Sequence, residues 1–206
     1  GRGRRGNDWI SQRGNLFVSA LLQPECDMAI LPQLSFVAAA AAHASVSPVL
    51  PAAELTLKWP NDVMLGGEKL AGLLLESFET IDEDTGERKR WAVVGLGMNI
   101  ENAPANLERP ATCMRHAGVE LISAKIVLSR FIHHFVEWYE LWQDDGFAPV
   151  KRYWMNHSMH KDEPMQVMTG EEYFMGSFEG IDDSGNLLLK DRDGELKTIN
   201  AGEVIL

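Results

Sequence analysis

The sequence is poor in cysteine, with two in 206 residues, and it has no long hydrophobic run. Cys26 and Cys113 lie far apart without metal-ligand spacing, which predicts two reduced thiols rather than a disulfide framework or a zinc site. No apolar stretch approaches the roughly 20 residues of a membrane-spanning helix, and the first residues lack the charged-then-apolar pattern of a secretory signal. We therefore expect a cytoplasmic protein without a membrane segment.

Positive charge is also scarce. The chain has 19 Lys and Arg against 30 Asp and Glu, which gives a formal net charge of -11 at pH 7. A field of this sign disfavours general binding to DNA, RNA or anionic membranes.

The sequence also lacks the motifs that usually mark a catalytic nucleophile or a metal site. No serine lies in a nucleophile-elbow motif, and neither cysteine has cationic neighbours, so a covalent enzyme intermediate is not predicted. His133 and His134 are adjacent on a predicted helix and point about 100° apart, which argues against one shared metal ion. His157 and His160 are three residues apart but have no third ligand nearby.

Hydrophobic residues make up 45% of the chain, enough for the cores of one mid-sized and one small domain. Apolar runs and helical spacing predict the elements of the larger part. Strands are predicted over residues 15–22, 55–59, 62–65, 68–78 and 90–100, and helices over 31–46, 123–144 and 148–159. Gly66-Gly67 supplies the positive φ angles of a tight hairpin, so the strands around it are expected to be antiparallel neighbours.

The second predicted helix carries a broad apolar stripe. Its members, all expected to face the core, are Ile126, Val127, Phe131, Ile132, Phe135, Tyr139 and Trp142. Ser123 is its predicted N-cap, and Gly146 is predicted to end it.

After about Met165 the composition changes to short strands separated by turn residues. These strands are predicted over residues 165–169, 173–181, 186–190 and 195–199, and they form a small barrel or meander. We therefore divide the chain into residues 1–160 and 161–206.

The first six residues, Gly1-Arg2-Gly3-Arg4-Arg5-Gly6, interleave arginine with glycine and are followed by Trp9. Glycine lets backbone N–H groups approach a ligand, and each guanidinium matches a carboxylate or phosphate. The tract therefore indicates an anionic ligand. By itself it is equally typical of a disordered or nucleic-acid-attracting segment.

Three further blocks carry polar or glycine residues at strand ends. They are Lys58-Trp59-Pro60-Asn61-Asp62, the block from Gly67 to Glu76, and Gly95-Leu96-Gly97-Met98-Asn99. Side chains at a strand end can converge on a ligand, which favours a site near Pro60. Each block also has a structural interpretation: Asp62 as a turn residue, Lys69 as a hairpin lysine reaching water, and the glycine pair as a bulge or close packing contact.

Taken in order, these four blocks resemble the catalytic domain of biotin protein ligases, which activate biotin with ATP and attach it to a lysine of a carrier protein. The tail resembles the SH3-like barrel of bacterial members. The resemblance implies an α+β fold, with a mixed, largely antiparallel sheet packed with helices as in class II synthetases, followed by that barrel. The family's N-terminal segment, with a Ser/Thr-Ser/Thr-Asn strand and a glutamine, has no counterpart here. A protein that begins at Gly1 is therefore expected to bind biotin weakly or not at all.

The resemblance also implies roles for individual residues. Lys69 would contact the biotin carboxylate and the α-phosphate of ATP, and Arg4 would help to retain the biotinyl-adenylate. Asp62 would hold Mg²⁺. The other implied contacts are Arg2 and Gly3 in the ligand loop, Trp9 covering the adenine, Lys58 on a phosphate, Asn61 as a nucleotide or site-ordering group, Gly72 and Gly97 on the strands that line the pocket, and Asn99 reading the adenine. Asn7 stands where many relatives carry a basic residue, which puts one phosphate contact in doubt.

Lys69 is further predicted from the strand pattern to share a face with Ala71, Leu73 and Leu75, so that its ammonium would not lie on a simple solvated stripe. The implied partner is a biotin carboxyl carrier protein, with a possible homodimer and no nucleic acid or membrane. Two alternatives stay open: a lipoate ligase of the same fold, and a non-catalytic biotin-sensing regulatory protein.

Overall fold

The computed structural model describes the whole chain except residues 4, 5, 7, 53, 106, 108, 160–162 and 206. The described part is an α+β fold with two five-stranded sheets and three α-helices, as expected. Its elements are β1 (Leu16–Leu22), α1 (Gln33–Val46), a 3-10 helix (Ser47–Val49), β2 (Leu55–Lys58), β3 (Asp62–Leu65), β4 (Glu68–Ile81), β5 (Arg88–Met98), α2 (Ala124–Asp145), α3 (Ala148–Asn156), β6 (Pro164–Thr169), β7 (Glu172–Ile181), β8 (Leu187–Lys190), β9 (Leu196–Ile199) and β10 (Glu203–Ile205).

The first sheet has the order β1-β5-β4-β3-β2, and every neighbouring pair is antiparallel. Gly66 and Gly67 have φ values of 60° and 80°, so the predicted two-glycine turn between β3 and β4 is confirmed. The β4–β5 ladder runs from Ala71 opposite Met98 to Ile81 opposite Arg88. Its far end extends beyond β1, whose pairing with β5 stops at Leu22 opposite Ala92.

Helix α1 contacts both the first sheet and the other two helices. It is buried on almost every side because residues 38–42 are all alanine, and small side chains allow close approach of neighbouring elements. Buried Phe36 on α1 meets the rings of Phe147 and Trp154 edge to face. The main core therefore lies between the first sheet and the helices.

Helix α2 begins and ends as predicted. The Ser123 hydroxyl accepts a hydrogen bond from the Ile126 backbone N–H at 3.4 Å, and Gly146 follows the helix with a φ of 73°. The predicted stripe is only partly correct, since Ile126 and Ile132 are 44% and 51% exposed. Only one side of α2 packs on the protein, and these two residues lie about 100° or more around the helix from Val127.

Helix α3 ends at Asn156, three residues earlier than predicted. The reason is a β-bridge: the Leu57 N–H donates to the His157 carbonyl, and the Met159 N–H donates to the Leu57 carbonyl. Residues 157–159 thus form an isolated parallel bridge to β2 at Ser158. Pairing with a distant strand overrides the local helical pattern.

The second sheet has the order β10-β6-β7-β8-β9 and is antiparallel throughout. The four predicted strands are confirmed to within a residue, and the five strands form the small barrel-like unit expected. Strand β10 was not predicted, because its three residues are too few to show an alternating pattern bounded by turns. None of the described helices is both long and apolar enough to cross a membrane.

Candidate active site

A cavity of about 390 Å³ opens on the face of the first sheet that the helices leave free. Its walls come from four parts of the chain: the N-terminal segment, the strands β1, β4 and β5 with the 58–62 segment, Arg109 in the loop after β5, and the last residues of the second sheet. The cavity therefore gathers residues from opposite ends of the sequence.

The strand register explains the cavity floor. Gly97 lies opposite both Phe17 on β1 and Gly72 on β4, and Gly95 lies opposite both Ser19 and Leu74. All of these residues line the cavity. Glycines at the centre of the sheet leave an open floor where side chains would otherwise fill the space.

Trp9 lies on this floor. A Cβ added to Gly97 would stand 2.5 Å from Trp9 Cε2, and one added to Gly72 would stand 2.9 Å from Trp9 Cζ3. The Trp9 indole N–H is buried and finds no acceptor among the described residues. The resemblance implied that Trp9 covers the adenine; here its ring is half-buried inside the cavity.

A β-bulge turns Lys69 into the cavity. The β3–β4 register shifts between Val63, which faces Ala71, and Met64, which faces Lys69, so that Leu70 is extra. Lys69 consequently shares the cavity face with Gly72, whose added Cβ would meet Lys69 Cε at 2.9 Å. The prediction that Lys69 shares a face with Ala71 is wrong, because strict alternation of side chains fails across a bulge.

Lys69 and Asp62 form an ion pair, with Nζ 2.7 Å from Asp62 Oδ1. The Lys69 ammonium also lies 5.5 Å from the centroid of the Trp9 ring. Asp62 Oδ1 is buried and has no hydrogen bond to the described residues beyond this ion pair. A buried carboxylate oxygen of this kind fits a hard cation such as Mg²⁺.

Lys58 is buried beside this pair, with 5% of its surface exposed. Burial lowers the pKa of its ammonium to about 8; Asp62 opposes this shift, and Arg109 and Lys69 add to it. Two cations, Lys58 and Lys69, thus lie near the Asp62 carboxylate, whereas Arg109 is paired with Glu203. The cavity wall is suited to a ligand that carries more negative charge than Asp62 alone.

Asn61 lines the cavity but is occupied by the backbone of β4. Its Nδ2 donates to the Leu73 carbonyl, and the Leu73 N–H donates to the Asn61 carbonyl at 2.9 Å. Of the two roles predicted for Asn61, this geometry favours ordering of the site.

The N-terminal segment forms the roof of the cavity. Arg2 Nη2 lies 3.3 Å from Glu76 Oε2, and Arg2 pairs with Asp8 in an isolated antiparallel bridge. Gly3 also lines the cavity. Arg4, the other arginine predicted to act here, lies outside the described residues.

Asn99 is not brought into the cavity. It is 2% exposed, and its Oδ1 accepts a hydrogen bond from Asn15 Nδ2 at 3.3 Å. Asn15 Oδ1 in turn accepts the backbone N–H groups of Ile100, Glu101 and Asn102. Asn99 is therefore held in the loop after β5, behind the described residues that line the cavity.

Several lining residues were given no role from the sequence, among them the charged residues Arg109, Glu203 and Glu76. Arg109 forms an ion pair with Glu203 at the start of β10, and both line the cavity. No local pattern marks either residue, since they come together only through the fold. Glu76 was inside a quoted block but was given no role, although its alternation with Gly72 and Leu74 would have placed it on the same face.

One polar cluster lies away from the cavity. His133, His134 and Glu137 on α2 place their ligand atoms within 4.8 Å of one another. The expectation that the two imidazoles diverge is wrong in this respect, because His134 Nδ1 approaches Glu137 Oε2 at 2.9 Å and His133 Nε2 approaches Oε1 at 3.4 Å. His133 and Glu137 are exposed, and the contacts are accounted for as ion pairs on a helix surface.

Comparison with known proteins shows to which family this chain belongs. Residues 9–156 match the Biotin/lipoate A/B protein ligase family, and residues 165–206 match the Biotin protein ligase C terminal domain. The chain belongs to the biotin/lipoate protein ligase family. The match covers both sheets and every described lining residue from Trp9 onward.

Individual relatives support the same family assignment. The biotin–[acetyl-CoA-carboxylase] ligase of Paracoccus denitrificans is 36% identical over 99% of this chain and 85% of its own length. The bifunctional ligase/repressor BirA of Bacillus subtilis is 32% identical over 98% of this chain, which spans 62% of that longer relative. A solved structure, the Aquifex aeolicus biotin protein ligase in complex with biotin and ATP, superposes with a TM-score of 0.79 at 26% identity, covering 99% of this chain and 83% of that one.

Proposed function

We propose that this protein is an ATP-dependent biotin protein ligase, which forms biotinyl-5'-adenylate and transfers the biotinyl group to a lysine of a biotin carboxyl carrier protein. The observation that carries the proposal is the grouping of Lys58, Lys69 and Asp62 at the wall of a glycine-floored cavity in a chain of this family. The named activities of the relatives in Paracoccus and Aquifex support the same reaction.

The first step joins two anions. The carboxylate of biotin attacks the α-phosphate of ATP, the bond between the α-phosphate and the leaving pyrophosphate breaks, and the product is a mixed anhydride. The developing charge on the phosphate must be balanced by fixed cations. Lys69 is placed for this task because the bulge in β4 aims it into the cavity beside Asp62. Lys58 supplies a second cation from β2, opposite Asp62 and two strands from Lys69.

Asp62 is the residue that would hold Mg²⁺, through the Oδ1 atom that the described structure leaves without a hydrogen bond. When bound there, the ion would neutralise phosphate charge. Asn61 keeps β3 and β4 in register at this point, and thereby fixes Asp62 relative to Lys69.

In the second step the amine of the carrier lysine attacks the acyl carbonyl, and AMP leaves. Arg2 and Gly3 form part of the roof over the cavity. We propose that Arg4 retains the adenylate until the carrier arrives. Trp9 would have to leave the glycine floor for the adenine to enter, and would then cover it.

We further propose two domains, residues 1–160 and 161–206, in line with the two family matches. The second contributes Glu203 to the cavity wall. We place the protein in the cytoplasm, where its two free cysteines stay reduced. A homodimer stays a prediction, and light scattering with and without biotin and ATP would test it.

The proposal is tested by pyrophosphate release from Mg-ATP with biotin, lipoate or no acid, followed by mass analysis of a carrier protein. We expect biotin-dependent release and a single biotinyl adduct on the carrier. Faster turnover with lipoate would reassign the chain to lipoate ligation. Biotin binding without pyrophosphate release would favour the sensing function instead.

A further inference from the structure

Trp59 lies in the middle of the site segment and lines the cavity together with its neighbours Lys58 and Asn61. Its ring is nevertheless buried, with 3% exposed, and belongs to the hydrophobic core. The Trp59 indole N–H donates to the carbonyl of Gly185 at 3.0 Å. Gly185 belongs to the turn of residues 182–185 between β7 and β8. One hydrogen bond thus joins this turn directly to the cavity wall.

The turn can approach this closely only because of Gly185. Its φ is 81°, and a Cβ added there would stand 2.5 Å from Cε2 of Phe36 on α1. Two independent requirements, the positive φ and the packing against Phe36, therefore select glycine at this position. Both place the Gly185 carbonyl where the Trp59 indole meets it.

Asp182 makes the turn rigid. Its Oδ1 accepts the backbone N–H groups of Ser184 and Asn186, its Oδ2 accepts the Asn186 side chain, and its carbonyl accepts the Gly185 N–H. Burial alone would raise the pKa of the Asp182 carboxyl, but these hydrogen bonds hold it below its usual value. The carboxylate is thus bound in its charged form, and the turn presents the Gly185 carbonyl in a fixed position.

A second tie holds the same turn but does not reach the cavity. The Asp183 carbonyl accepts a hydrogen bond from Gln33 Nε2 at 2.7 Å, and Gln33 Oε1 accepts one from the indole of Trp142 at 2.7 Å. Lys151 Nζ also donates to Asp183 Oδ1. None of these side chains is among the described residues that line the cavity. The chain therefore offers two buried indole hydrogen bonds in one network, and only the bond from Trp59 adjoins the site.

We propose that the turn of residues 182–185 is a positioning device for the proposed reaction: by holding the indole of Trp59, it fixes the Lys58–Asn61 segment against the cavity. Trp59 is accordingly a positioning residue rather than a catalytic one. The inference rests on the proposed function for the role of the cavity, and on the contacts of Trp59, Gly185 and Asp182 for the device.

The geometry explains why such a tie is needed. Lys58 is the last residue of β2, the edge strand of the first sheet, which is paired with β3 on one side and, on the other, only through the isolated bridge between Leu57 and Ser158. A buried ammonium at the end of an edge strand is drawn toward solvent. The Trp59 ring, buried in the core and bonded to Gly185, opposes that movement and keeps Lys58 in the wall.

The test compares Trp59→Phe with Trp142→Phe in the full chain. Each variant keeps an aromatic ring and removes one buried indole hydrogen bond of the same network, so we expect similar losses of melting temperature. Only Trp59→Phe should weaken the binding of ATP. The Kd from calorimetry and the KM for ATP should both rise about tenfold, because a small displacement of a positioned group is costly. The KM for biotin should stay unchanged in both variants. All assays are run well below the melting temperature of the weaker variant.

Asp182→Ala tests the same contact by changing the turn instead of the indole. It loosens the turn without touching the cavity, and it should raise the Kd for ATP in the same direction. Combined with Trp59→Phe, it should add little, because both changes act through one contact. Full additivity, or equal ATP affinities for Trp59→Phe and Trp142→Phe, overturns the inference.

The proposed function and the positioning role of the turn can fail separately. If the unmodified protein binds ATP but releases no pyrophosphate with any acid, the proposed function fails, and the device is still judged by the Kd for ATP. If the unmodified protein is active and the variants show the same ATP constants as it does, only the device fails. If the unmodified protein binds no ATP, both fail.

Discussion

Lys69 Nζ lies 2.7 Å from Asp62 Oδ1 at the place where β3 and β4 change register. The cation proposed for the phosphate and the carboxylate proposed for the metal are therefore paired with each other in this structure. A ligand phosphate that takes Lys69 leaves Asp62 without its counter-ion. Binding of the nucleotide and of a divalent cation are consequently expected to be coupled.

Replacement of Lys69 by Ala should reduce adenylate formation about a hundredfold or more, equivalent to about 2.7 kcal/mol of transition-state stabilisation. The fold should survive, because a half-buried lysine contributes little packing. Pyrophosphate release with biotin and Mg-ATP measures the effect. Lys89→Ala is the matched control, since it breaks a Lys–Asp pair with Asp82 at the far end of the β4–β5 hairpin. Near-normal turnover by the Lys69 variant would remove this lysine from the mechanism.

Gly97→Ala should destabilise the protein by roughly 1–3 kcal/mol, since the new methyl group would overlap the Trp9 ring and displace it. Gly95→Ala should cost much less, because its nearest neighbour lies at an ordinary 3.6 Å. Urea unfolding measures both. In a Trp9→Ala background the excess cost of Gly97→Ala should disappear. An excess that persists without the indole would show that Trp9 does not rest on this glycine.

ATP affinity should fall as pH rises through about 8, because burial lowers the pKa of Lys58 to about 8 and only the ammonium attracts phosphate. A bound phosphate raises that pKa again, so the Kd should increase about tenfold for each pH unit just above 8. Calorimetry between about pH 7 and about pH 9.5 records this. Lys58→Arg keeps its charge over the whole range and should show no such rise. The same rise in the arginine variant would assign the titration to another group.

The sequence predicted those features whose cause is local. The Gly66-Gly67 turn, the Ser123 cap and the Gly146 stop each depend on a few neighbouring residues, and each is where it was expected. The site residues predicted from the four blocks also line one cavity, apart from Asn99 and the undescribed Arg4.

What could not be predicted depends on long-range pairing. The direction of Lys69 follows from a bulge that exists only because β3 pairs with β4 out of strict alternation. Arg109 and Glu203 meet only when the second sheet docks, and no pattern along the chain marks that contact. The early end of α3 likewise results from the bridge to Leu57.

His43 should make the protein less stable as pH falls from about 6.5 to about 4. Its ring is buried on α1, with Nδ1 2.8 Å from the Tyr153 hydroxyl and Nε2 3.3 Å from the Leu55 carbonyl. A carbonyl only accepts, so Nε2 carries the proton and Nδ1 accepts from Tyr153. Burial, and then the neighbouring His157, lower the pKa of His43 from 6.5 to about 4.

The direction of the pH effect on stability depends on which state, folded or unfolded, binds the proton. Below pH 6.5 the unfolded chain protonates His43 while the folded protein does not, so folding loses up to about 3 kcal/mol by pH 4. Above pH 6.5 both states are neutral at this ring, and the contribution is complete. Urea unfolding at pH 7 and at pH 5 should differ by about 2 kcal/mol from this group. His43→Gln should lose that difference, whereas His116→Gln, at an exposed imidazole, should keep it. An unchanged pH dependence in His43→Gln would mean that the buried ring is not what senses the acid.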